Sequence, residues 1–182
     1  MKRIAFTGAS GTGKSTLMQH IVDKYGLEPV MIGSRSVAKE MGFGNPYDVD
    51  KAGKRAEFQK RLFEAKSSFE AQTSNFVTDR TVFDNLTYTL LHDASSVSAT
   101  DLDRYVAAMR RYTMIVYLPR DAFQDLANDP ARRADHVYHV AYDVMIEGLL
   151  NRYQIPHTIL RRRSIESRIE FVDKYVMEGA AP

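Results

Sequence analysis

The sequence predicts an α/β fold in which a parallel β-sheet is wrapped by helices on both faces. Three observations carry that prediction. A short apolar run, Arg3 to Thr7, leads straight into a glycine-rich turn and then a stretch with helical spacing. Further short apolar runs recur along the chain, each separated from the next by a helical pattern, which is the alternation that builds parallel sheets. The segment Thr113 to Leu118 (TMIVYL) is apolar nearly throughout, as a strand buried on both faces must be.

The first strand and helix flank Gly8-Ala9-Ser10-Gly11-Thr12-Gly13-Lys14-Ser15-Thr16, which has the P-loop spacing of glycine, four residues, glycine, lysine and a hydroxyl residue. Gly8, Gly11 and Gly13 let the backbone adopt positive φ and approach an anion, so that successive N–H groups converge on phosphate oxygens. The helix opening near Gly13 adds its positive end. Lys14 is placed to reach the β- and γ-phosphates, and Ser15 to offer a hydroxyl to Mg²⁺. A nucleoside triphosphate, with ATP as the donor, is the expected ligand.

Helix one runs from Ser15 to Tyr25 with Leu17, Ile21 and Val22 inward. Glu28 to Gly33 (EPVMIG) reads as a second strand and Ser34 to Met41 as a helical turn. Arg35, just past that strand, faces either the acceptor side of the cleft or a surface carboxylate such as Glu40. Gly42 to Asp48 reads as a loop from its glycines and Asn-Pro. A helix is expected from about Lys51 to Thr73, with Phe58, Leu62, Ala65 and Phe69 inward and Lys54, Arg55, Lys60 and Arg61 on a solvated face.

Asn75 to Thr81 is a strand ending in Asp79 and Arg80. A carboxylate beside the P-loop strand can orient hydrated magnesium or take an acceptor proton, and an arginine can hold phosphate or acceptor; alternatively the pair caps the next helix. In that helix, with Phe83, Leu86, Tyr88, Leu90 and Leu91, Asp84 reads as a partner of the helix dipole. A serine-rich link, Ser95 to Thr100, precedes a helix over Asp101 to Tyr112 and the strand Thr113 to Leu118. The segment 126–136 then carries Arg132 and Arg133, suited to a lid over transferring phosphates. The helix after it, to about Tyr153, is expected to turn Val137, Val140, Ala141, Val144 and Met145 inward. Pro156 to Leu160 forms a last strand and Ser164 to Val176 a last helix, with Arg161 to Arg163 between them bordering either a base or solvent.

A length of 182 residues suits one domain, and 44% hydrophobic residues suffice for a core without staples. Cysteine is absent, which removes disulfides and thiolate chemistry and suits a reducing compartment. With no signal-like leader and no long apolar run, a cytoplasmic location without membrane contact is expected. With 25 basic and 23 acidic residues the net charge is +2, too balanced for a chain that binds nucleic acid through its overall field.

The motifs GASGTGKST, VTDRTVFDNLTY, DPARR and RRRSIESRIEFV, spread over nearly the whole chain, make the sequence resemble the small P-loop nucleoside and nucleotide kinases, in particular the compact branch with nicotinamide-riboside kinase domains and bacteriophage nucleotide kinases. The resemblance implies a five-stranded sheet of order 2-3-1-4-5. It further implies that Lys14 and Ser15 handle triphosphate and Mg²⁺, that Asp79 and Arg80 face the acceptor, and that Arg132 and Arg133 belong to the lid. The sequence departs from deoxynucleoside kinases at the end of the second strand, where they usually place a carboxylate base and this chain has Ser34 and Arg35. Either Asp79 serves a hydroxyl acceptor as base, or the acceptor is a phosphate bound by Arg35. The expected activity is phosphotransfer from ATP to a nucleoside- or nucleotide-type acceptor. Alternatives are a phage-type kinase acting on a hydroxymethylated pyrimidine base within DNA, and a nucleotide-dependent regulatory ATPase that transfers nothing to an acceptor.

Overall fold

The computed structural model describes residues 1–120, 136–161 and 164–178. Five parallel strands, β1 (Arg3–Thr7), β2 (Glu28–Pro29), β3 (Phe76–Asp79), β4 (Met114–Tyr117) and β5 (Thr158–Ile159), lie in the order β2-β3-β1-β4-β5. This is the expected sheet. The P-loop strand is central, with Phe6 opposite Asp79 on one side and Thr7 opposite Tyr117 on the other. That register brings the carboxyl ends of three strands level, where the loops of an open parallel sheet form a ligand crevice.

Strand alternation sorts the core onto two faces. Ile4 and Phe6 pack with Leu17 and Ile21 of α1 (Lys14–Tyr25) and Val172 and Val176 of α8 (Ile165–Glu178). On the opposite face Ala5 meets side chains from α4 (Arg55–Gln72), α5 (Val82–Asp93), α6 (Ala99–Met109) and α7 (His136–Arg152), among them Phe63, Phe83, Met109 and Ile146. Each fully buried large apolar side chain contributes roughly 1.5 to 3 kcal/mol of transfer free energy. A smaller cluster, Val37, Ala38, Val49, Phe58 and Leu62, joins α2 (Ser34–Glu40) and α3 (Pro46–Lys51) to α4 beside β2. Among the described residues no helix is long and apolar enough to cross a membrane.

Four expectations need correction. The second strand, expected from Glu28 to Gly33, is confined to Glu28–Pro29. The stretch Gly42 to Asp48 is not all loop, because Asn45 caps α3, accepting hydrogen bonds from the Tyr47 and Asp48 amides at 2.9 and 3.2 Å, with Pro46 in the first turn. The helix expected from Lys51 starts at Arg55, since α3 ends at Lys51 and Gly53 turns the chain at φ 68°. In α7 the phase differs: Val137, Val140 and Val144 are 74%, 49% and 69% exposed, while His139, Tyr142, Ile146 and Leu150 are buried. The polar anchor decides the phase, since the Tyr142 hydroxyl donates to Asp84 of α5 and turns that line inward. In a urea titration Ile146→Ala is expected to cost about 2 to 4 kcal/mol as a cavity, whereas Val144→Ser stays within about 0.5 kcal/mol; comparable losses would reverse the assignment of the buried side.

Candidate active site

The loop after β1 is held by close contact with β4. Gly8 sits at φ 131°, and a Cβ there would lie 2.3 Å from the Leu118 carbonyl oxygen, so only glycine fits. Gly11 and Gly13 also adopt positive φ, 82° and 85°, and Gly13 is the N-cap of α1. Between them Thr12 is buried, its hydroxyl donating to the Ala9 carbonyl at 3.1 Å, while Ser15 and Thr16 are exposed in the first turn. Arg168 of α8, itself fully buried, donates to the Thr12 carbonyl at 2.5 Å. On the other side the Asp143 carboxylate accepts from the Arg120 amide at 3.2 Å and from the Ala9 backbone. The loop is thus buttressed from α7 and α8.

Lys14 lies under this loop, only 4% exposed, with Nζ donating to the Ala9 carbonyl at 2.6 Å and the Thr12 hydroxyl at 3.2 Å. Burial, reinforced by the nearby Arg80 guanidinium, lowers its pKa to about 8. Ser15 donates to Asp79 Oδ2 in a short hydrogen bond. Asp79 Oδ1 is buried with no hydrogen-bond partner among the described residues. Burial would raise the Asp79 pKa, but the charges of Lys14 and Arg80 and the Ser15 hydroxyl outweigh it and hold the carboxyl below the usual range. A hard hydroxyl oxygen and an unsatisfied carboxylate oxygen side by side suit Mg²⁺, which takes one or two protein oxygens together with phosphates and water.

Arg80 has φ 91°, a left-handed conformation rare for a side chain with a Cβ. Its guanidinium donates to Ser10 Oγ at 3.1 Å and to Tyr142 and Asp84 at 3.3 Å, and lies 5.3 Å from the Tyr88 ring centroid. Asp84 meets its expected role at the head of α5, accepting from the Thr81 amide at 2.6 Å in a capping box.

In front of this constellation opens a cavity of about 720 Å³. Ser10, Lys14, Ser15, Asp79 and Arg80 form one wall, and exposed Arg35 of α2 stands at another. Sequence reasoning missed much of the remainder. Gln59 and Asn85, both buried and joined by a 3.1 Å hydrogen bond, line it with Lys66, Tyr88 and Tyr138. Arg55, expected on a solvated face, is also in the lining, its Nη1 2.6 Å from both oxygens of Asp50. The one signal available was spacing: Lys66 continues the line of Phe58 and Leu62 at intervals of four. Arg132 and Arg133, with the rest of the expected lid up to residue 135, lie outside the described residues, as do Arg162 and Arg163.

A family profile described as an AAA domain matches residues 3–168. The chain belongs to that family. A comparison with curated sequences finds no match. Among solved structures, a deoxyadenosine kinase from M. mycoides with the products dCMP and dCDP bound superposes with a TM-score of 0.69 at 18% identity, covering 99% of this chain and 100% of that one. The YorR protein of Bacillus subtilis, in complex with phosphorylated GDP, gives 0.59 at 17% identity, with 96% and 97% covered. Shikimate kinase from Aquifex aeolicus gives 0.62 at 14%, with 97% of each chain covered. At these identities the likeness is one of fold, and the fold is that of the small P-loop kinases named in the sequence analysis.

The pKa of Lys14 generates a test. Below about pH 8 its ammonium is already charged, and above it a bound triphosphate, which favours the charged form, must draw a proton from solvent. Calorimetry in buffers of different ionisation enthalpy is expected to show proton uptake approaching one per triphosphate near about pH 9 and a decline in affinity as pH rises through about 8. Lys14→Ala should abolish that uptake; uptake unchanged in the variant would assign the proton elsewhere.

Proposed function

We propose that this protein is an ATP- and Mg²⁺-dependent phosphotransferase whose acceptor is a nucleoside- or nucleotide-type small molecule. The observation that carries the reading is that the P-loop opens directly into a large side-chain-lined cavity, with Asp79 and Arg80 at the junction. A regulatory ATPase needs room for one water beside the γ-phosphate; a cavity of about 720 Å³ falls in the range of ligand pockets. The flat rings of Tyr47, Tyr88, Tyr138 and His92 suit stacking on a base, and the M. mycoides neighbour with dCMP and dCDP supports that class over the shikimate kinase precedent.

In this reading the loop amides and Lys14 hold the triphosphate, and Arg80 balances charge that develops on the transferring group. Ser15 and Asp79 would hold Mg²⁺, which would supply charge neutralisation to the phosphates. Held below the usual carboxylate range, Asp79 is a weak proton acceptor at neutral pH, so we assign it to the metal side rather than to general base duty. The loose transition state of phosphoryl transfer asks little of a base, and positioning by Arg35, Gln59 and Asn85 then carries the acceptor's share of the rate.

The reading is tested with γ-labelled ATP and a panel of nucleosides, nucleoside monophosphates, nicotinamide riboside, and DNA with plain or hydroxymethylated pyrimidines. Label on a nucleoside or nucleotide is the expected outcome; label on DNA would move the function to base modification, and label only in inorganic phosphate would sink acceptor transfer. Lys14→Ala should lose transfer altogether. Asp79→Asn should lower kcat by about a hundredfold or more while triphosphate affinity without Mg²⁺ changes little, and near-normal turnover would remove Asp79 from the machinery.

A further inference from the structure

Lys66 and Glu70 are 3% and 0% exposed on the inner side of α4, a placement that is costly for charged side chains unless the geometry around them is well satisfied. Burial pushes the Glu70 carboxyl above its ordinary pKa against the opposing pull of Lys66 and Tyr112. The pair is 3.3 Å apart, and the Tyr112 hydroxyl meets both Glu70 oxygens, at 3.0 and 2.8 Å. Glu70 therefore has a second donor. The shortest contact of Lys66 is elsewhere: Nζ donates to Thr78 Oγ1, the residue before Asp79 in β3. Thr78 is fully buried, and its hydroxyl donates in turn to the Arg80 carbonyl at 3.1 Å.

The direction of these bonds matters. A hydroxyl that accepts a hydrogen bond from an ammonium directs its own O–H elsewhere, and the Arg80 carbonyl is the acceptor that it reaches. The Arg80 peptide is the strained one, at φ 91°. Its N–H continues the sheet to the Phe6 carbonyl at 2.8 Å, while the next amide, Thr81, has already turned to Asp84 at 2.6 Å. A glycine would make this turn without strain, but would carry no guanidinium. An arginine there persists only because surrounding groups hold it.

We propose that Lys66 is a positioning residue for the transfer site: by fixing the Thr78 hydroxyl onto the Arg80 carbonyl, it holds the strained turn that aims the Asp79 carboxylate and the Arg80 guanidinium into the cavity. The proposal rests on the phosphotransferase reading, and it assigns α4 a part in catalysis beyond lining the acceptor pocket. Glu70 and Tyr112 serve as the base on which the Lys66 ammonium stands.

The experiment compares Lys66→Met, Thr78→Val, Thr78→Ser and the double variant Lys66→Met/Glu70→Leu. Each is assayed for transfer and for the ¹H–¹⁵N amide shifts of Arg80 and Thr81. Lys66→Met and Thr78→Val are expected to lose about tenfold or more in kcat with the KM for ATP within about twofold, because aim and not uniform binding is lost. Thr78→Ser keeps the hydroxyl and should retain both turnover and amide shifts. The double variant removes both buried charges, leaving only the Tyr112 hydroxyl without its acceptor, so it is expected to fold, yet to stay slow with displaced Arg80 and Thr81 signals. Recovery of normal turnover in the double variant would reduce Lys66 to a counter-ion for Glu70 and overturn the proposal, as would native shifts and turnover in Thr78→Val. If the unmodified protein phosphorylates none of the acceptors, the phosphotransferase reading fails separately, and the amide shifts alone decide whether Lys66 holds the turn.

Discussion

The carboxylate of Asp84 is where the site is tied together. Buried to 1% exposure, it accepts from the hydroxyl of Thr7 at the end of β1, from the amide and hydroxyl of Thr81 at the start of α5, from Tyr142 of α7, and from the Arg80 guanidinium. An unpaired buried carboxylate would be strongly destabilising, whereas one that receives several charge-assisted or neutral hydrogen bonds is a rigid node. Because its donors come from the P-loop strand, the turn between β3 and α5, and α7, the node fixes those parts relative to one another. The Arg80 guanidinium is anchored by this node, while the backbone of the same turn is held by the Thr78 hydroxyl on the Arg80 carbonyl.

What was legible in the sequence divides along the same physical line. The P-loop could be read residue by residue because backbone geometry dictates it: Gly8 has no room for a Cβ against Leu118, and no other residue type resolves that contact. Strand and helix order could be read from periodicity, which reports burial of apolar faces. The back of the cavity could not. Asn45-Pro46 is at once a loop signal and a helix cap with proline in the first turn, and only the packing of Val49 against Phe58 and Leu62 decides for the helix. Along α7 valines occupy one side and Tyr142, Ile146 and Leu150 the other, so apolar spacing alone offered two phases. The hydrogen bond from Tyr142 to Asp84 selects between them, and that bond spans 58 positions of sequence.

The buried charges were the least legible feature because local rules assign Lys66, Glu70, Asp84 and Arg168 to the surface. All four are buried; Asp84 bonds to Thr7 of the P-loop strand, Arg168 to Thr12 of the P-loop and Lys66 to Thr78 of β3, while Glu70 pairs with Lys66 and accepts from Tyr112. Polar burial of this kind adds little net stability, since desolvation offsets most of the attraction. Its concentration behind a single crevice therefore argues for positional accuracy there, with the two apolar clusters on either face of the sheet supplying the stability that it does not.

The electrostatics of the crevice follow from that arrangement. Lys14, Arg35, Arg55, Lys66 and Arg80 line it against the carboxylates of Asp50, Asp79 and Asp84. Three of these cations have a carboxylate close by, Arg55 at Asp50, Arg80 at Asp84 and Lys66 at Glu70, and Arg80 and Lys14 also bond to hydroxyl or carbonyl groups of the P-loop itself. Neutral acceptors compensate a buried cation poorly, which is why Lys14 is held near a pKa of about 8 instead of its ordinary value. A phosphate oxygen compensates it fully, and the difference between those two partners is free energy available for binding a polyanion at this spot. In the proposed transfer charge develops on those same oxygens, so a lysine whose hydrogen bonds go to neutral acceptors is matched to the transition state more closely than to the free site.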